Sequence, residues 1–406
     1  CASLTLTGCS NTTGQQKKEV KKEAADKEQT VKLTLWGGAE DQKMLQSMVD
    51  DFKKEHASEA SFDIKLAVES ETTCKETLLG DVEKGADVFA FPDDQLQALA
   101  ASGVLQEIRD ADQVKQDNIK GAVEAASVND RLFAYPMTAD NGYFLYYNKK
   151  YFSGNDVKKL DTILAKAEKV HKKVTMDWTS AWYLYSFFGN TGLKAGVNED
   201  GVTNYCNWNS KKGKIKGIDV AQAMERIAGS SAFLNTTDDK FLKGVQNGSV
   251  IAGVSGVWNA NAIDKAWGKN YGAVKLPTYT CTGKQVQMAS FTGYKMVGVN
   301  AYSSNVKWAM KLAEWITNQD NQTRRFAERG QGPSNIKASQ SGDIEKSPAI
   351  QAVIAQSEYG CLQRVGGNFW DPISSFGSSV AKGTLSPKEL QKELDDMVKK
   401  VTAPTV

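Results

Sequence analysis

Near its start, the chain alternates between two kinds of apolar pattern, and this alternation restricts the fold most. Residues 31–38, VKLTLWGG, alternate apolar and polar side chains, which predicts a strand. Apolar residues within 44–52 recur on one helical face, and a second alternating run at 62–68 predicts another strand. A helical segment at 72–84 and a short apolar strand at 87–91 follow. The order βαβαβ predicts an α/β lobe with a mainly parallel sheet.

Two helices carry start or stop signals of their own. Asp93 or Asp94 can cap the helix after the third strand, and Gly103 can end it. Near the C-terminus, Ser386 and Glu389 have the spacing of a capping box and precede an amphipathic pattern. These signals predict a short helix after the third strand and a longer one at the end of the chain.

The local composition changes within residues 135–149, YPMTADNGYFLYYNK, and this change suggests a crossing between two lobes. At 406 residues and 41% hydrophobic composition the chain exceeds one typical domain, so two are expected. The first half of the stretch is turn-prone and contains proline, whereas the second half is a dense aromatic strand. An ordinary strand pair within one domain would show the same local pattern. Because the strand predicted at 291–300 offers a return, we interpret 135–140 as the first crossing.

The composition argues against several functional classes. The net charge is +2, from 50 basic and 48 acidic residues. The chain therefore lacks the excess of basic residues that is typical of nucleic-acid-binding proteins. The chain has two histidines and no glycine-rich phosphate loop, so we expect no metal site, no cofactor and no nucleotide chemistry. Hydrolysis by a carboxylate pair stays open, because such pairs form only in the folded chain. Its candidates are Glu40, Asp94 and Asp140.

The positions of the tryptophans are the feature that points towards a ligand class. Of nine tryptophans, several stand beside glycine, asparagine or acidic residues at predicted element ends: Trp36, Trp178, Trp182, Trp258 and Trp370. Sugars present apolar C–H faces and rings of hydroxyl groups, so their sites combine flat aromatic rings with polar side chains. The alternative for each tryptophan is a core position with its N–H group satisfied. The combination favours a carbohydrate ligand.

The N-terminus resembles the end of a bacterial lipoprotein signal peptide. Leu6-Thr7-Gly8-Cys9 is similar to a lipobox, which predicts lipidation at Cys9, and the short apolar run at 1–9 is typical of a signal peptide remnant. The polar, mixed-charge residues at 10–30 cannot form a packed core and predict a tether. A plain disordered tail is the alternative.

Cysteine spacing restricts the remaining chemistry. Apart from Cys1 and Cys9, four scattered cysteines remain, and none forms a CxxC motif: Cys74, Cys206, Cys281 and Cys361. An exported protein could form one or two disulfides from them, and the spacing favours no particular pairing.

Taken together, these segments resemble the solute-binding proteins of sugar ABC transporters, and in particular the maltose/maltodextrin-binding group. The specific segments, in family order, are LTLWGG, VFAFPDDQLQALAASGVLQEI, YPMTADNGYFLYYNK, GSVIAGVSGVW and NFWDPISSFGSSV. The resemblance implies two α/β lobes, 31–139 plus 292–340 and 140–291 plus 341–406. It also implies a ligand cleft between the lobes and closure at a hinge.

The resemblance also implies ligand-binding positions. In the first lobe, Glu40 matches an acid after the first strand, and Phe91 matches an aromatic contact. Asp94 and Gln95 match an acidic and a basic residue that bond sugar hydroxyls, although glutamine stands where the family pattern has arginine. Asp140 matches an acid at the first crossing; the spacing there is one residue longer, so Asn141 is a rival.

The aromatic positions complete the predicted site. Three tryptophans match aromatic platforms of the family: Trp182, Trp258 and Trp370. Trp178 has no firm counterpart and is a candidate only through its sequence neighbourhood.

The predicted function is capture without chemistry. A monomer held by a lipid anchor at the extracellular face of the cell membrane would bind maltooligosaccharides and deliver them to the permease subunits of an ABC transporter. Three alternatives are a binder of another oligosaccharide, a surface glycan hydrolase, and a sugar-loaded partner of a sensor. A binding family of this kind needs no matched general acid and base, and this disfavours the hydrolase.

Overall fold

A computed structural model describes residues 30–71, 73–198, 200 and 202–404. The predicted lipobox, the lipidation at Cys9 and the tether up to residue 29 lie outside these described residues. Among the described helices, none combines the length and the apolarity needed to cross a bilayer.

The strands are assigned as follows. In chain order they are β1 (Val31–Gly37), β2 (Phe62–Val68), β3 (Val88–Pro92), β4 (Ser127–Val128), β5 (Arg131–Leu132), β6 (Tyr135–Gly142), β7 (Phe144–Asn148), β8 (Lys173–Met176), β9 (Ala195–Val197), β10 (Asn204–Cys206), β11 (Phe233–Asn235), β12 (Val250–Ser255), β13 (Tyr271–Val274), β14 (Thr278–Cys281), β15 (Lys284–Gln287), β16 (Ser290–Val299) and β17 (Gly360–Leu362).

The α-helices are distributed along the whole described chain. They are α1 (Gln42–Glu55), α2 (Cys74–Gly80), α3 (Leu96–Ala101), α4 (Asp112–Asp117), α5 (Lys120–Ala125), α6 (Leu160–Lys169), α7 (Ala181–Phe188), α8 (Gly217–Ala228), α9 (Asp238–Gln246), α10 (Ala260–Trp267), α11 (Val306–Ile316), α12 (Gln319–Arg329), α13 (Ile336–Ser339), α14 (Gly342–Lys346), α15 (Pro348–Ser357), α16 (Trp370–Val380) and α17 (Pro387–Val401).

The first sheet has the order β17-β16-β3-β1-β2, with β6 also paired to β16. β1 pairs in parallel with β2 and with β3, and α1 and α2 connect these strands. The predicted βαβαβ opening is therefore confirmed. β16 enters this sheet antiparallel to β3, although about half of the chain separates them in sequence. We call this sheet, with the helices packed on it, lobe I.

The second sheet has the order β11-β8-β12-β7-β13. β8 runs parallel to β11 and β12, whereas β7 is antiparallel to both β12 and β13. Helices α7, α8, α16 and α17 pack around a shared apolar core beside it. We call this body lobe II, and the two sheets give the predicted two-lobe α/β fold.

The stretch at 135–149 forms two strands, not a loop followed by a strand. Among the described strands, β6 pairs with β16 alone, so Pro136 lies in an edge strand, where a missing N–H group is tolerated. The chain then passes from β6 to β7 at Tyr143. The Tyr143 hydroxyl donates to the Trp182 carbonyl at 2.8 Å and accepts from the Phe291 backbone N–H at 3.2 Å, which ties the outgoing strand to the returning one.

The return strand β16 contributes to the cores of both lobes. Phe291, near its start, packs in the lobe II core. Tyr294, Met296 and Val299 pack in the lobe I core with residues of β3 and α11. A single continuous strand therefore crosses the boundary between the two lobes.

The helix signals have mixed outcomes. At α17 the capping box is formed, since the Glu389 N–H donates to Ser386 Oγ and Glu389 Oε2 accepts from the Ser386 N–H. Asp93 and Asp94 do not cap α3; they lie in a 3-10 turn before it, and no side-chain cap is formed at its start. The helix predicted at 72–84 is shorter in the structure, where α2 ends at Gly80.

The four cysteines that the structure describes form no disulfide with one another. We expect iodoacetamide to modify exposed Cys361 in the native protein and to leave Cys74 intact. Burial raises the pKa of Cys74 to about 12 and that of Cys281 to about 11, so neither forms a reactive thiolate at neutral pH. Peptide mass spectrometry before and after denaturation in urea checks this pattern. Equal native rates at Cys74 and Cys361 would contradict it.

Candidate functional site

Within residues 30–404, apart from the gaps at 72, 199 and 201, a pair of cavities is lined by residues of both lobes. The first, of about 780 Å³, is lined by Asp140 and Arg329 near lobe I, and by Trp258 and Asn261 of lobe II. We call it the hinge cavity, because Asp140 lies on β6 just before the first crossing. The second, of about 470 Å³, is lined by Asp93, Asp94, Gln97, Val197, Asn198, Gln363, Arg364, Val365 and Trp370. We call it the Trp370 cavity.

Trp258 presents a large aromatic surface to the hinge cavity. It lies in a short turn after β12 and is 49% exposed. Its Nε1–H donates to Asp238 Oδ2 at 3.0 Å, and the same oxygen accepts from the Tyr183 hydroxyl at 3.1 Å. Gly256 allows the indole to lie against the backbone, since a Cβ atom there would fall 2.0 Å from Cζ3 of the ring. The exposed ring is therefore held in a fixed orientation.

Trp182 extends this aromatic surface. Its ring centroid lies 5.9 Å from that of Trp258, at an interplanar angle of 36°. Trp182 also packs edge-on against Tyr143, with 4.6 Å between the ring centroids. The structure thus brings together two of the predicted platforms and connects them to the first crossing.

Asp140 and Asn141 both line the hinge cavity, but their surroundings differ. Asp140 is 5% exposed, and its Oδ2 accepts from the Gly332 backbone N–H at 2.7 Å. Burial raises the pKa of its carboxyl, which this hydrogen bond and the charge of Lys295 partly offset. Asn141 is half-buried and lies opposite Gly293 of β16. Asp140 therefore fixes a loop at the cavity wall.

A β-bulge explains how adjacent residues of one strand can line the same cavity. Asn141 pairs with Gly293, and Thr138 pairs with Lys295, which leaves one more residue on β6 than on β16 between these pairs. An extra residue bends a strand and re-aims its side chains. The bulge adds one residue to β6 in the stretch between Thr138 and Asn141, which includes Asp140.

A buried ionic network supports the lobe I wall of the hinge cavity. Arg325 donates from Nη1 to Asp41 Oδ2 at 2.7 Å and to Gln331 Oε1 at 3.1 Å. Arg329 donates from Nε to Asp41 Oδ1 at 2.8 Å. The predicted site residue Glu40 is exposed, and its Oε1 lies 3.7 Å from Arg329 Nη2. Glu40 is thus at the margin of the cavity, next to one of its lining residues.

Lys295 is a lining residue that the sequence analysis missed. Its Nζ lies 2.5 Å from Glu71 Oε2. Burial by itself would lower the pKa of Lys295, but the carboxylates of Glu71, Asp140 and Asp41 outweigh it and raise the pKa. The ammonium group therefore stays charged and can donate to a ligand. A single charge inside the otherwise apolar return strand is a signal that could have identified it.

The Trp370 cavity contains two predicted residues. Trp370 begins α16 and packs edge-on against Phe369, with 5.1 Å between the ring centroids. Asp94 is exposed and lies across from it on lobe I. Gln95 is 7% exposed; its Nε2 donates to the Glu71 carbonyl at 3.0 Å, so it braces the loop after β2.

Phe91 and Trp178 lie in the core, against the prediction that they contact a ligand. Each is 0% exposed. Phe91 packs beside Phe89 in lobe I, with 5.7 Å between the ring centroids. Trp178 packs against Phe187 and Phe233 in lobe II, at 5.2 and 4.5 Å. Local sequence could not separate Trp178 from Trp258, because packing from distant segments determines which ring is covered.

The chain is similar to oligosaccharide-binding proteins of two bacteria. It is 27% identical over 383 residues to the galactooligosaccharide-binding protein of Bacillus subtilis. The matched region covers 88% of this chain and 86% of the relative. It is 25% identical over 351 residues to the maltooligosaccharide ABC transporter solute-binding lipoprotein of Streptococcus pneumoniae, covering 79% and 78%.

Solved structures agree with the fold. The maltodextrin-binding protein MalE1 of L. casei, without ligand, superposes with a TM-score of 0.79 at 25% identity, over 92% of this chain and all of that one. A Staphylococcus aureus extracellular solute-binding protein in complex with maltose gives a TM-score of 0.76 at 21% identity, over 91% and 96%. The family model for bacterial extracellular solute-binding proteins matches residues 47–352. This match spans most of the chain, and the protein therefore belongs to the bacterial extracellular solute-binding proteins.

Proposed function

We propose that the protein captures maltooligosaccharides between its lobes and delivers them to the permease of an ABC transporter. The observation that carries this proposal is the paired surface of Trp182 and Trp258 beside the polar hinge cavity. Aromatic faces stack on the C–H faces of glucose units, while Lys295, Arg329 and Asn141 can bond their hydroxyl groups. The names of the S. pneumoniae and L. casei relatives support the choice of sugar.

A second ligand class has a specific observation in its favour. The B. subtilis relative is named for galactooligosaccharides and is slightly more similar to this chain over a longer span. The two ligand classes can be separated by calorimetry with maltotriose, a galactooligosaccharide and a xylooligosaccharide. We expect maltotriose to bind with a micromolar dissociation constant, on the order of −8 kcal/mol. Binding of the galactooligosaccharide alone would transfer the assignment to the second class.

The proposed role involves binding without catalysis. The relatives are named as binding proteins, which fits this role. Prolonged incubation with maltotetraose, followed by chromatography of the sugars, is expected to return the maltotetraose intact. Glucose or maltose released by the wild type, but not by a heat-inactivated control, would contradict binding alone.

We further propose that the protein acts as a monomer at the outer face of the membrane, held by a lipid on Cys9. The support is the lipobox-like sequence that ends at Cys9 and the name of the S. pneumoniae lipoprotein. Membrane association of the full precursor in a bacterial host tests this, with Cys9→Ala as the matched variant. If both are retained on the membrane equally, the anchor is not at Cys9.

A further inference from the structure

The Trp370 cavity contains an unsatisfied acceptor from lobe I. Asp93 follows β3 and is only 4% exposed. Its Oδ1 accepts from the Tyr294 backbone N–H at 2.8 Å, which fixes the carboxylate against β16. Its Oδ2 is buried and has no hydrogen-bond partner among the described residues. Burial raises the pKa of Asp93 to about 6, so the group is a carboxylate at neutral pH.

The same cavity contains unsatisfied donors from the other side. Nε and Nη2 of Arg364 are both buried, and neither has a hydrogen-bond partner in the part of the chain that the structure describes. The backbone of Arg364 is bound to lobe II, since its carbonyl accepts from the Val197 N–H at 3.1 Å. Two residues later, the Gly366 N–H donates to Asn204 Oδ1 at 2.7 Å. The backbone at 364–366 is therefore held against lobe II just after the chain leaves β17 of the lobe I sheet, while Asp93 is held against β16 in lobe I.

Buried polar groups without partners are rare and costly, because they lose their hydrogen bonds to water and gain none. Asp93 and Arg364 supply an acceptor and donors to one cavity, yet these particular atoms do not bond each other. A ligand that both donates and accepts would satisfy them together. A hydroxyl group does both, and neighbouring hydroxyls on a sugar ring could engage the two side chains at once.

On the basis of the proposed function, we infer that Asp93 and Arg364 form a clamp across the cleft. It takes adjacent hydroxyl groups of one neutral pyranose unit that stacks on Trp370, with Asp93 Oδ2 accepting and Arg364 donating. The cavity has two carboxylates, those of Asp93 and Asp94, for one guanidinium, which disfavours an acidic sugar. Because the backbone of Arg364 is held against lobe II and Asp93 against lobe I, the bound unit stabilises the closed arrangement.

The test is calorimetry with maltotriose on four variants: Asp93→Asn, Arg364→Gln, the double variant and Arg131→Gln. The Asp93→Asn change keeps an acceptor for the Tyr294 N–H, so the fold should tolerate it. Arg131, an exposed lobe I residue paired with Glu107, is the matched control for loss of an arginine. We expect each single change in the clamp to weaken binding about 10- to 100-fold, as for hydrogen bonds to charged groups. The double variant should lose less than the product of the two effects, because both side chains hold one sugar unit.

The outcomes separate the clamp from the proposed function. If wild type binds maltotriose and both single variants bind within twofold of it, the clamp is wrong while the proposed function stands. If wild type binds a galactooligosaccharide instead, the variants are titrated with that sugar and the same criterion applies. Failure of wild type to bind any neutral oligosaccharide overturns both. Tighter binding of a uronic-acid-terminated oligosaccharide than of its neutral counterpart would overturn the choice of a neutral unit.

Discussion

Replacement of Asp41 by alanine is expected to lower the free energy of unfolding by about 3–5 kcal/mol. Asp41 accepts from both Arg325 and Arg329, and Arg325 is 2% exposed. Among the described residues, the substitution leaves the buried Arg325 guanidinium with Gln331 as its remaining side-chain partner and without its ion-pair partner. An uncompensated buried charge costs far more than the loss of an exposed ion pair.

Urea denaturation followed by circular dichroism measures this effect. Glu40→Ala is the matched control, because Glu40 is the neighbouring acid, is exposed and lies 3.7 Å from Arg329. An exposed pair of this kind contributes about 0–1 kcal/mol. Equal shifts in the two variants would mean that burial of the Asp41–Arg325 pair is not the cause. The Glu40 variant also tests the predicted ligand contact, since its stability should not change while its affinity for maltotriose falls.

Trp258→Ala is expected to weaken maltotriose binding by about 1–3 kcal/mol, the range measured for stacking of bases on aromatic side chains. The loss in affinity corresponds to roughly 5- to 150-fold. The ring is half-exposed and held by Asp238, so its removal should cost little stability. Calorimetry gives the affinity, and thermal denaturation gives the stability of the same sample.

Two further variants make this prediction specific. Gly256→Ala keeps the indole but forces it to move, because the new methyl group would overlap the ring; it should weaken binding in the same direction. Trp308→Ala removes a tryptophan that packs edge-on against Phe52 and Phe62 in lobe I. This control should lower stability and leave affinity unchanged. If Trp308→Ala weakens binding as much as Trp258→Ala, the effect is one of folding and not of stacking.

The parts of the fold with a local cause could be predicted from sequence. The βαβαβ opening follows from periodic apolar patterns, and α17 follows from its own capping box. β6 lacks such a pattern. It forms a strand because it pairs with β16, which comes much later in the chain. Its proline and polar residues are typical of a turn, but pairing with β16 makes the segment a strand.

The site was less predictable for the same reason. Trp178 and Trp258 have similar polar and small neighbours in sequence, yet one is covered by Phe187 and Phe233 and the other is not. Asp93 and Asp94 are adjacent, and the buried one is the carboxylate that accepts from Tyr294 of β16, a contact with a distant segment. Arg364 carries no local signal, because the cavity that it lines is formed together with Asp93 and Asp94, which come much earlier in the chain.

The position of β16 has a consequence for the order in which the molecule can fold. This strand lies between β3 and β6 in lobe I, and the hydrogen bond from the Tyr294 N–H to Asp93 joins residues 201 positions apart. During synthesis, the edge of β3 that later pairs with β16 therefore stays unpaired until most of the chain has been made. Pairings between distant segments form slowly, because closing a long loop costs entropy before the contacts are gained. We expect an isolated fragment that ends before β16 to stay unfolded, so that lobe I completes its structure only after the sequence of lobe II has been made.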